Sequence, residues 1–249
     1  MNQKQNQSQA ATTLLAALRA DMRAAVDPKH RDGERAFFKE PINPLGVRVR
    51  DLNAIVALHW KEARGLAPRK LLDLCDELWR SGVFEEPVVA SKWCGRALKK
   101  LDSEVAFATF ERWLATRVDN WGHCDVLCTK CLGGLFERAP GLLPRSDTWL
   151  TSPNRWLRRG AAVALTPAAR HGLHLARVFH VAEALLQDED DLVRKGYGWM
   201  LKEASKPWPG EVLAFVLAHR ERMPRVALRY AIELLPKDWR AQAMQTPWK

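Results

Sequence analysis

Residues 156–165 have the sequence Trp156-Leu-Arg-Arg-Gly-Ala-Ala-Val-Ala-Leu165, and a similar segment recurs twice further along the chain. The segment Leu192-Val-Arg-Lys-Gly-Tyr-Gly-Trp-Met-Leu201 aligns with it at an offset of 36 residues, and Val226-Ala-Leu-Arg-Tyr-Ala-Ile-Glu-Leu-Leu235 follows at an offset of 34. Basic residues followed by small ones and then leucine, at a period in the thirties, are typical of stacked two-helix repeats. The small residues allow neighbouring helices to approach closely.

Helical periodicity also covers most of the chain outside these segments. It begins at Ala10 and predicts further helices near residues 51–63, 68–81, 85–100, 103–117, 120–136, 154–165, 172–187, 189–205, 210–220 and 223–235. The alternation Val47-Arg-Val-Arg50 is the only strand-like signal, and it is too short to found a sheet. We therefore predict an all-α fold, an α-solenoid of two-helix repeats with a concave, positively charged face. An irregular helical bundle is the alternative, because periodicity alone does not exclude it.

The polar, Gln-rich residues 1–8 are predicted to be disordered, and residues 9–249 are predicted to form a single repeat domain. The first residues lack the apolar core of a signal peptide, and no apolar segment approaches the length of a membrane span. We therefore expect a cytoplasmic protein that makes no membrane contact and acts as a monomer.

The charge of the chain favours a polyanionic partner. Its 39 Lys and Arg residues outnumber 29 Asp and Glu residues, which gives a net charge of +10. Such an excess favours nucleic acid or an anionic membrane. Arg158-Arg159 and Arg194-Lys195 occupy matching repeat positions, and Arg96, Lys99 and Lys100 form an earlier cluster. The alternative is an ordinary solvated helix face.

A tryptophan and an aspartate lie one helical turn apart in Trp121-Gly-His-Cys-Asp125. Side chains four residues apart share a helix face, so Trp121 and Asp125 are predicted to present an aromatic plane and a carboxylate together. That pair suits a cationic ligand, because an aromatic face attracts a cation and a carboxylate stabilises developing positive charge. A buried tryptophan beside a capping or salt-bridged aspartate is the alternative.

The cysteines Cys124, Cys128 and Cys131 have the spacing of the radical S-adenosylmethionine motif, and neighbouring His123 suggests a zinc site. The radical motif requires a loop after a β-strand, which this chain does not supply. In a helix the three cysteines fall on one face, where cysteine behaves as a small apolar residue. We therefore predict that they pack in the core and that the protein binds no metal.

Four elements together resemble the AlkD-like DNA alkylation repair family, which are DNA glycosylases built of HEAT-like repeats. The elements are Ala36-Phe-Phe-Lys39 before Leu45-Gly-Val47, the pair Trp121 and Asp125, Trp156-Leu-Arg-Arg-Gly-Ala161, and Lys195-Gly-Tyr-Gly-Trp199. The resemblance covers roughly residues 15–235 and implies HEAT-like repeats. It implies a monofunctional glycosylase of base excision repair that hydrolyses the N-glycosidic bond of cationic 3- and 7-alkylpurines in double-stranded DNA without a cofactor.

The resemblance also implies roles for individual residues. Asp125 would be the catalytic carboxylate, and Trp121 and Trp199 would flank the damaged nucleotide. Arg159, or Arg158 beside it, would contact the backbone phosphates. The further DNA-binding residues expected on this basis are Arg194, Lys195, Phe37, Phe38 and Lys39. The family holds the lesion from the backbone side rather than flipping it into a pocket.

The chemistry is coherent, because a cationic purine is already a good leaving group and needs no general acid. A carboxylate then stabilises the oxocarbenium-like sugar and orients water. Three features depart from the family pattern: phenylalanines at 37 and 38 where a tyrosine is common, Gly122-His123 inside the Trp–Asp pair, and Gly198, which we expect to loosen its helix. The alternative function is a non-catalytic HEAT-like protein that binds damaged or branched DNA.

Overall fold

The computed structural model describes the backbone of residues 2–245 and the side chains of residues 5–245. The chain divides into two compact units, Met1–Cys131 and Leu132–Lys249. Over the described residues the secondary structure is helical, apart from an isolated antiparallel bridge between Val26 and Val47. The predicted all-α class is therefore confirmed, and the short alternation at residues 47–50 founds no sheet. No helix among the described residues has the length and apolar character needed to cross a membrane.

The first unit contains seven α-helices: α1 (Asn2–Ala24), α2 (Pro28–Phe37), α3 (Val49–Ala63), α4 (Pro68–Arg80), α5 (Glu85–Ala97), α6 (Ser103–Thr116) and α7 (Trp121–Leu127). A 3-10 turn, Leu98–Lys100, extends α5. Helix α3 packs against both α1 and α5, and α5 packs against α7. The fully buried Trp93 ties α5 to α3, because its indole N–H donates to the Val56 carbonyl at 3.1 Å.

The second unit contains α8 (Gly133–Arg138), α9 (Arg155–Val163), α10 (Thr166–Arg170), α11 (Leu175–Ala184), α12 (Asp191–Ala204), α13 (Pro209–His219), α14 (Arg225–Ala231) and α15 (Lys237–Met244). A 3-10 segment, Pro140–Trp149, connects α8 to α9. Helix α12 packs against both α9 and α14. These are the three helices that carry the sequence repeat, so equivalent helices stack side by side as a helical-repeat solenoid requires.

The repeat extends through both halves of the chain. Six helices begin at a regular spacing of 34 to 36 residues, namely at Val49, Glu85, Trp121, Arg155, Asp191 and Arg225. Alignment of the repeat segments within the sequence detects only the last three, because the earlier repeats keep the spacing of the helix starts but not the residue types. That spacing depends on where the turns fall and on which helix face is apolar, and both tolerate substitution more readily than a fixed motif does.

Two predictions about local structure require correction. The segment at residues 1–8, predicted to be disordered, is helical from Asn2 onward. Gln and Ala are good helix formers, and the Gln7 side chain accepts a hydrogen bond from the Ala67 backbone N–H at 3.0 Å, which anchors this helix. The single helix predicted over residues 120–136 is divided into α7, a π-helical turn at Cys128–Leu132, and α8.

Gly198 lies within helix α12 and allows α12 to approach α14 closely. A Cβ atom at this position would lie 2.8 Å from the Tyr230 Cβ and 2.9 Å from the Ala227 carbonyl oxygen. Only glycine leaves room for this approach, because any other residue would place a Cβ atom against α14.

All three cysteines of the 124–131 segment are fully buried, which confirms their predicted packing role. The Cys131 thiol donates to the Ser91 carbonyl at 3.1 Å, and burial raises the pKa of this thiol well above its ordinary value. The π-helical turn places the Lys130 carbonyl against Gly95 of α5, where a Cβ would lie 2.5 Å from the carbonyl oxygen. The turn and the glycine together fix the approach of the two segments.

Candidate active site

The start of α7 places Trp121 and Asp125 one turn apart on the same helix. The Asn120 side chain caps the helix by accepting a hydrogen bond from the His123 backbone N–H at 2.9 Å. Trp121 is the first helical residue, and both Trp121 and Asp125 are partly exposed. The Asp125 carbonyl accepts a hydrogen bond from the Thr129 hydroxyl at 2.7 Å. The predicted common face is therefore present.

Asp125 occupies a distinctive position in the repeat register. The residue four positions after each repeat helix begins is Asn53, Val89, Asp125, Arg159, Lys195 or Arg229. All three repeats of the second unit carry a cation here, and α7 carries an anion instead. Of the six repeat helices, only α7 places an anion at this position.

Three aromatic side chains, Phe37, Phe38 and Trp121, pack together on the surface of the first unit. The rings of Phe38 and Trp121 are stacked at 4.7 Å with an interplanar angle of 10°. Phe37 contacts the Trp121 ring edge-on at 5.9 Å, and Phe37 is 71% exposed. Phe37, Phe38 and Trp121 together form an apolar surface that extends toward solvent, and we call these three residues the aromatic wall.

Two of the three residues between Trp121 and Asp125, namely Gly122 and His123, support this wall. A Cβ at Gly122 would lie 3.2 Å from the Phe38 ring, so the glycine makes room for the stacked phenylalanine. His123 is buried, and its Nε2 lies 2.8 Å from the Phe84 carbonyl. A carbonyl oxygen only accepts, so Nε2 carries the proton, and Nδ1 accepts from the Asn120 amide at 2.8 Å. His123 therefore serves the structure, as does its stacking on the Phe84 ring at 4.9 Å.

Trp199 lies on α12 in the second unit, where buried Glu203 fixes its indole. The indole N–H donates to Glu203 Oε1 at 3.2 Å, and the other carboxylate oxygen accepts from Arg170 and Lys206, each at 2.7 Å. Burial opposes ionisation of this carboxyl, and its hydrogen bonds with Arg170, Lys206 and Trp199 outweigh that effect and lower the pKa of Glu203 to about 2. Glu203 is absent from the sequence-based site, although the spacing of four residues from Trp199 is a usable signal.

The basic residues predicted to contact DNA in the second unit are held by their own chain. Arg158 forms an ion pair with Asp188 at 2.6 Å and donates to the Ser152 carbonyl at 2.8 Å. Arg159 is 5% exposed and donates to the Leu192 carbonyl. The Arg194 guanidinium donates to the Asp188 carbonyl. Contact of these side chains with DNA stays a prediction, and each has a structural function of its own.

The remaining predicted residues divide between the two units. Lys195 pairs with Asp191 at 2.7 Å on α12, and Lys39 is exposed just after α2. Phe37, Phe38 and Trp121 come together in the first unit, and Asp125 lies one helical turn from Trp121 on α7. The second unit holds Trp199 and the basic residues Arg158, Arg159, Arg194 and Lys195. Among the described residues, no three His, Cys, Asp or Glu side chains are placed to hold a metal ion.

Comparisons with known proteins agree with this architecture. A predicted DNA alkylation repair enzyme from Enterococcus faecalis superposes with a TM-score of 0.76 at 18% identity, over 85% of this chain and 97% of that one. A protein from Streptococcus mutans UA159 superposes with a TM-score of 0.56 at 19% identity, over 74% of this chain and all of that one. At these identities the likeness concerns the fold. A search of curated proteins finds no match.

The sequence itself matches a family model described as DNA alkylation repair enzyme over residues 18–235. The match covers most of the chain, including the aromatic wall, Asp125, and the helices that carry the repeat. The chain belongs to the DNA alkylation repair enzyme family.

Proposed function

We propose that the protein is a monofunctional DNA glycosylase that hydrolyses the N-glycosidic bond of cationic N3- and N7-alkylated purines in duplex DNA. The observation that carries the proposal is Asp125, a carboxylate one helical turn from Trp121 in a register where the second unit carries cations. Simple backbone binding gains nothing from an anion at this position. Stabilisation of a transient positive charge does.

In this mechanism the leaving purine departs as a neutral base, because its alkyl group has already placed a positive charge on the ring. The electron pair of the glycosidic bond goes to the base, and the sugar becomes an oxocarbenium-like cation. The Asp125 carboxylate lowers the energy of that cation and orients a water molecule. The water oxygen forms the new bond to the sugar carbon, and one proton of that water passes to the surrounding solvent. No general acid is required.

The aromatic residues position the damaged nucleotide. Trp121, stacked on Phe38, offers an indole face to the cationic lesion, and Phe37 extends the apolar surface. Phe37 and Phe38 stand where a tyrosine is common in the family, so they offer the DNA an apolar contact in place of a hydroxyl contact. The family resemblance assigns the second indole to Trp199, whose N–H is held by Glu203. A fixed ring orients the nucleotide at a lower entropic cost than a mobile one.

The test is Asp125→Asn, which is nearly isosteric and removes the charge. We expect the variant to keep its fold and most of its DNA affinity, while release of 7-methylguanine and 3-methyladenine from methylated DNA falls by about 100-fold or more under single-turnover conditions. Asp73→Asn is the matched control. Asp73 is exposed on α4, and its substitution makes the same charge change away from the aromatic wall.

Two results would contradict the proposal. If Asp125→Asn releases the methylpurines as fast as the parent protein, the catalytic role of Asp125 is wrong. If the parent protein binds DNA but releases no base, the protein is a non-catalytic reader of damaged or branched DNA.

A further inference from the structure

Four cationic side chains form a strip on the first unit, near the π-helical turn. Lys92, Arg96 and Lys99 follow one another at helical spacing along α5 and its 3-10 extension. Lys130 joins them from the π-helical turn, because a Cβ at Gly95 would lie 3.3 Å from the Lys130 Cβ. The close approach at Gly95, which lies between Lys92 and Arg96 in the sequence, brings the fourth cation onto this part of α5. We call these four residues the basic strip.

The basic strip carries uncompensated positive charge. Over the described part of the chain, none of its four members forms an ion pair with a carboxylate, although Lys92 donates to the Asn53 side-chain oxygen. Partial burial lowers the pKa of Lys92, and the neighbouring charges of Lys130 and Arg96 lower it further. Like charges held this close repel one another, so an anion bound among them relieves a cost already present in the free protein.

Arg96 has a geometry suited to a phosphate. Its guanidinium carbon lies 5.9 Å from the centre of the Trp60 ring, within the range of a cation–π contact, and a planar guanidinium can donate two N–H groups to one phosphate. The guanidinium is exposed, as are Lys99 and Lys130. An aromatic support restricts the arginine and leaves less side-chain entropy to lose when a ligand binds.

We propose that the basic strip binds the backbone phosphates of duplex DNA beside Asp125. Lys130 follows Asp125 by five residues, across the junction of α7 and the π-helical turn, so the strip and the carboxylate belong to adjoining segments of the first unit. The side chains of Arg158, Arg159 and Arg194 already donate to their own chain, whereas the strip has no carboxylate partner to displace. The inference rests on the proposed function only in taking duplex DNA as the ligand.

The test compares two triple variants by DNA binding over a range of salt concentrations. Arg96→Gln/Lys99→Gln/Lys130→Gln removes three charges from the strip, and Arg23→Gln/Arg222→Gln/Lys237→Gln removes three exposed charges elsewhere. Each lost phosphate contact lowers the slope of log affinity against log salt by about 0.9, so we expect the strip variant to lose roughly 2 to 3 in slope. The control variant is expected to lose less than half of that.

A charge-retaining variant separates electrostatics from packing. Lys99→Arg/Lys130→Arg is expected to bind an undamaged duplex with the parent slope, and all variants are expected to unfold at the parent temperature. An unchanged slope in the Gln variant, a slope loss equal to that of the control, or an equal loss in the Arg variant would each overturn the inference. If the strip variant shows the expected loss in the slope of log affinity against log salt while the parent protein releases no methylpurine, phosphate binding by the basic strip is supported and the proposed glycosylase activity is wrong.

Discussion

At the residue scale, Glu203 shows how a residue outside the sequence motifs supports one inside them. Its carboxylate is 4% exposed and accepts from a guanidinium, an ammonium and an indole. The cations compensate the burial of its charge, and the indole of Trp199 receives a fixed acceptor. Trp199 is therefore oriented by electrostatics as well as by packing.

The pKa of Glu203 predicts how stability depends on pH. Because the pKa is lowered in the folded state to about 2, the carboxylate stabilises the fold above its unfolded pKa, and this contribution is lost as the pH falls toward 2. We expect Glu203→Gln to lower the free energy of unfolding at neutral pH by about 2 kcal/mol, a value reduced for solvent screening at exposed Arg170 and Lys206. Urea titrations from neutral pH down to about pH 2 should show the gap between parent and variant closing. A gap independent of pH would contradict the assignment.

At the scale of helices, glycines decide where two elements touch. Gly95, Gly122 and Gly198 each face an atom that a Cβ would meet at 3.2 Å or less, and Gly33 in α2 faces open space. The first three allow contact with the π-helical turn, with Phe38 and with α14. These three glycines contribute to stability through close packing against a neighbouring segment, an effect that a helix propensity scale does not include.

This contrast predicts opposite signs for one substitution at two glycines. Gly198→Ala should lower the free energy of unfolding by about 1 to 3 kcal/mol, because α12 and α14 must separate or Tyr230 must shift. Gly33→Ala should raise it by roughly 0.5 to 1 kcal/mol, because it gains helix propensity without a clash. Denaturant unfolding of both variants measures the two effects. Stabilisation by Gly198→Ala would show that the close approach has no energetic role.

At the scale of the whole molecule, the net charge of +10 sets the mode of binding. We expect affinity for duplex DNA to be independent of base sequence and to fall about a thousandfold between about 50 and 200 mM salt if six phosphates are neutralised. Fluorescence anisotropy with two unrelated duplexes of equal length measures both properties. An affinity that is insensitive to salt would contradict electrostatic binding of the DNA backbone.

The helices and the repeat could be predicted from the sequence because their signals are local. Apolar spacing sets the helical regions, and capping residues and prolines end them, so most predicted ranges lie within a few residues of the observed helices. The Trp121–Asp125 face follows from the same 3.6-residue period. The family could be recognised from the order and separation of the four motifs, and both are read directly from the sequence.

Only the tertiary structure decided which side chains are partners. It stacked Phe38 on Trp121, paired Trp199 with Glu203, held Arg158 and Arg159 to their own chain, and brought Lys130 against Gly95 of α5. A basic residue has the same sequence signature in a buried hydrogen bond and on a free surface, because burial depends on helices distant in sequence. Helix formation depends on neighbours within four residues, whereas the availability of a charge depends on how the helices pack.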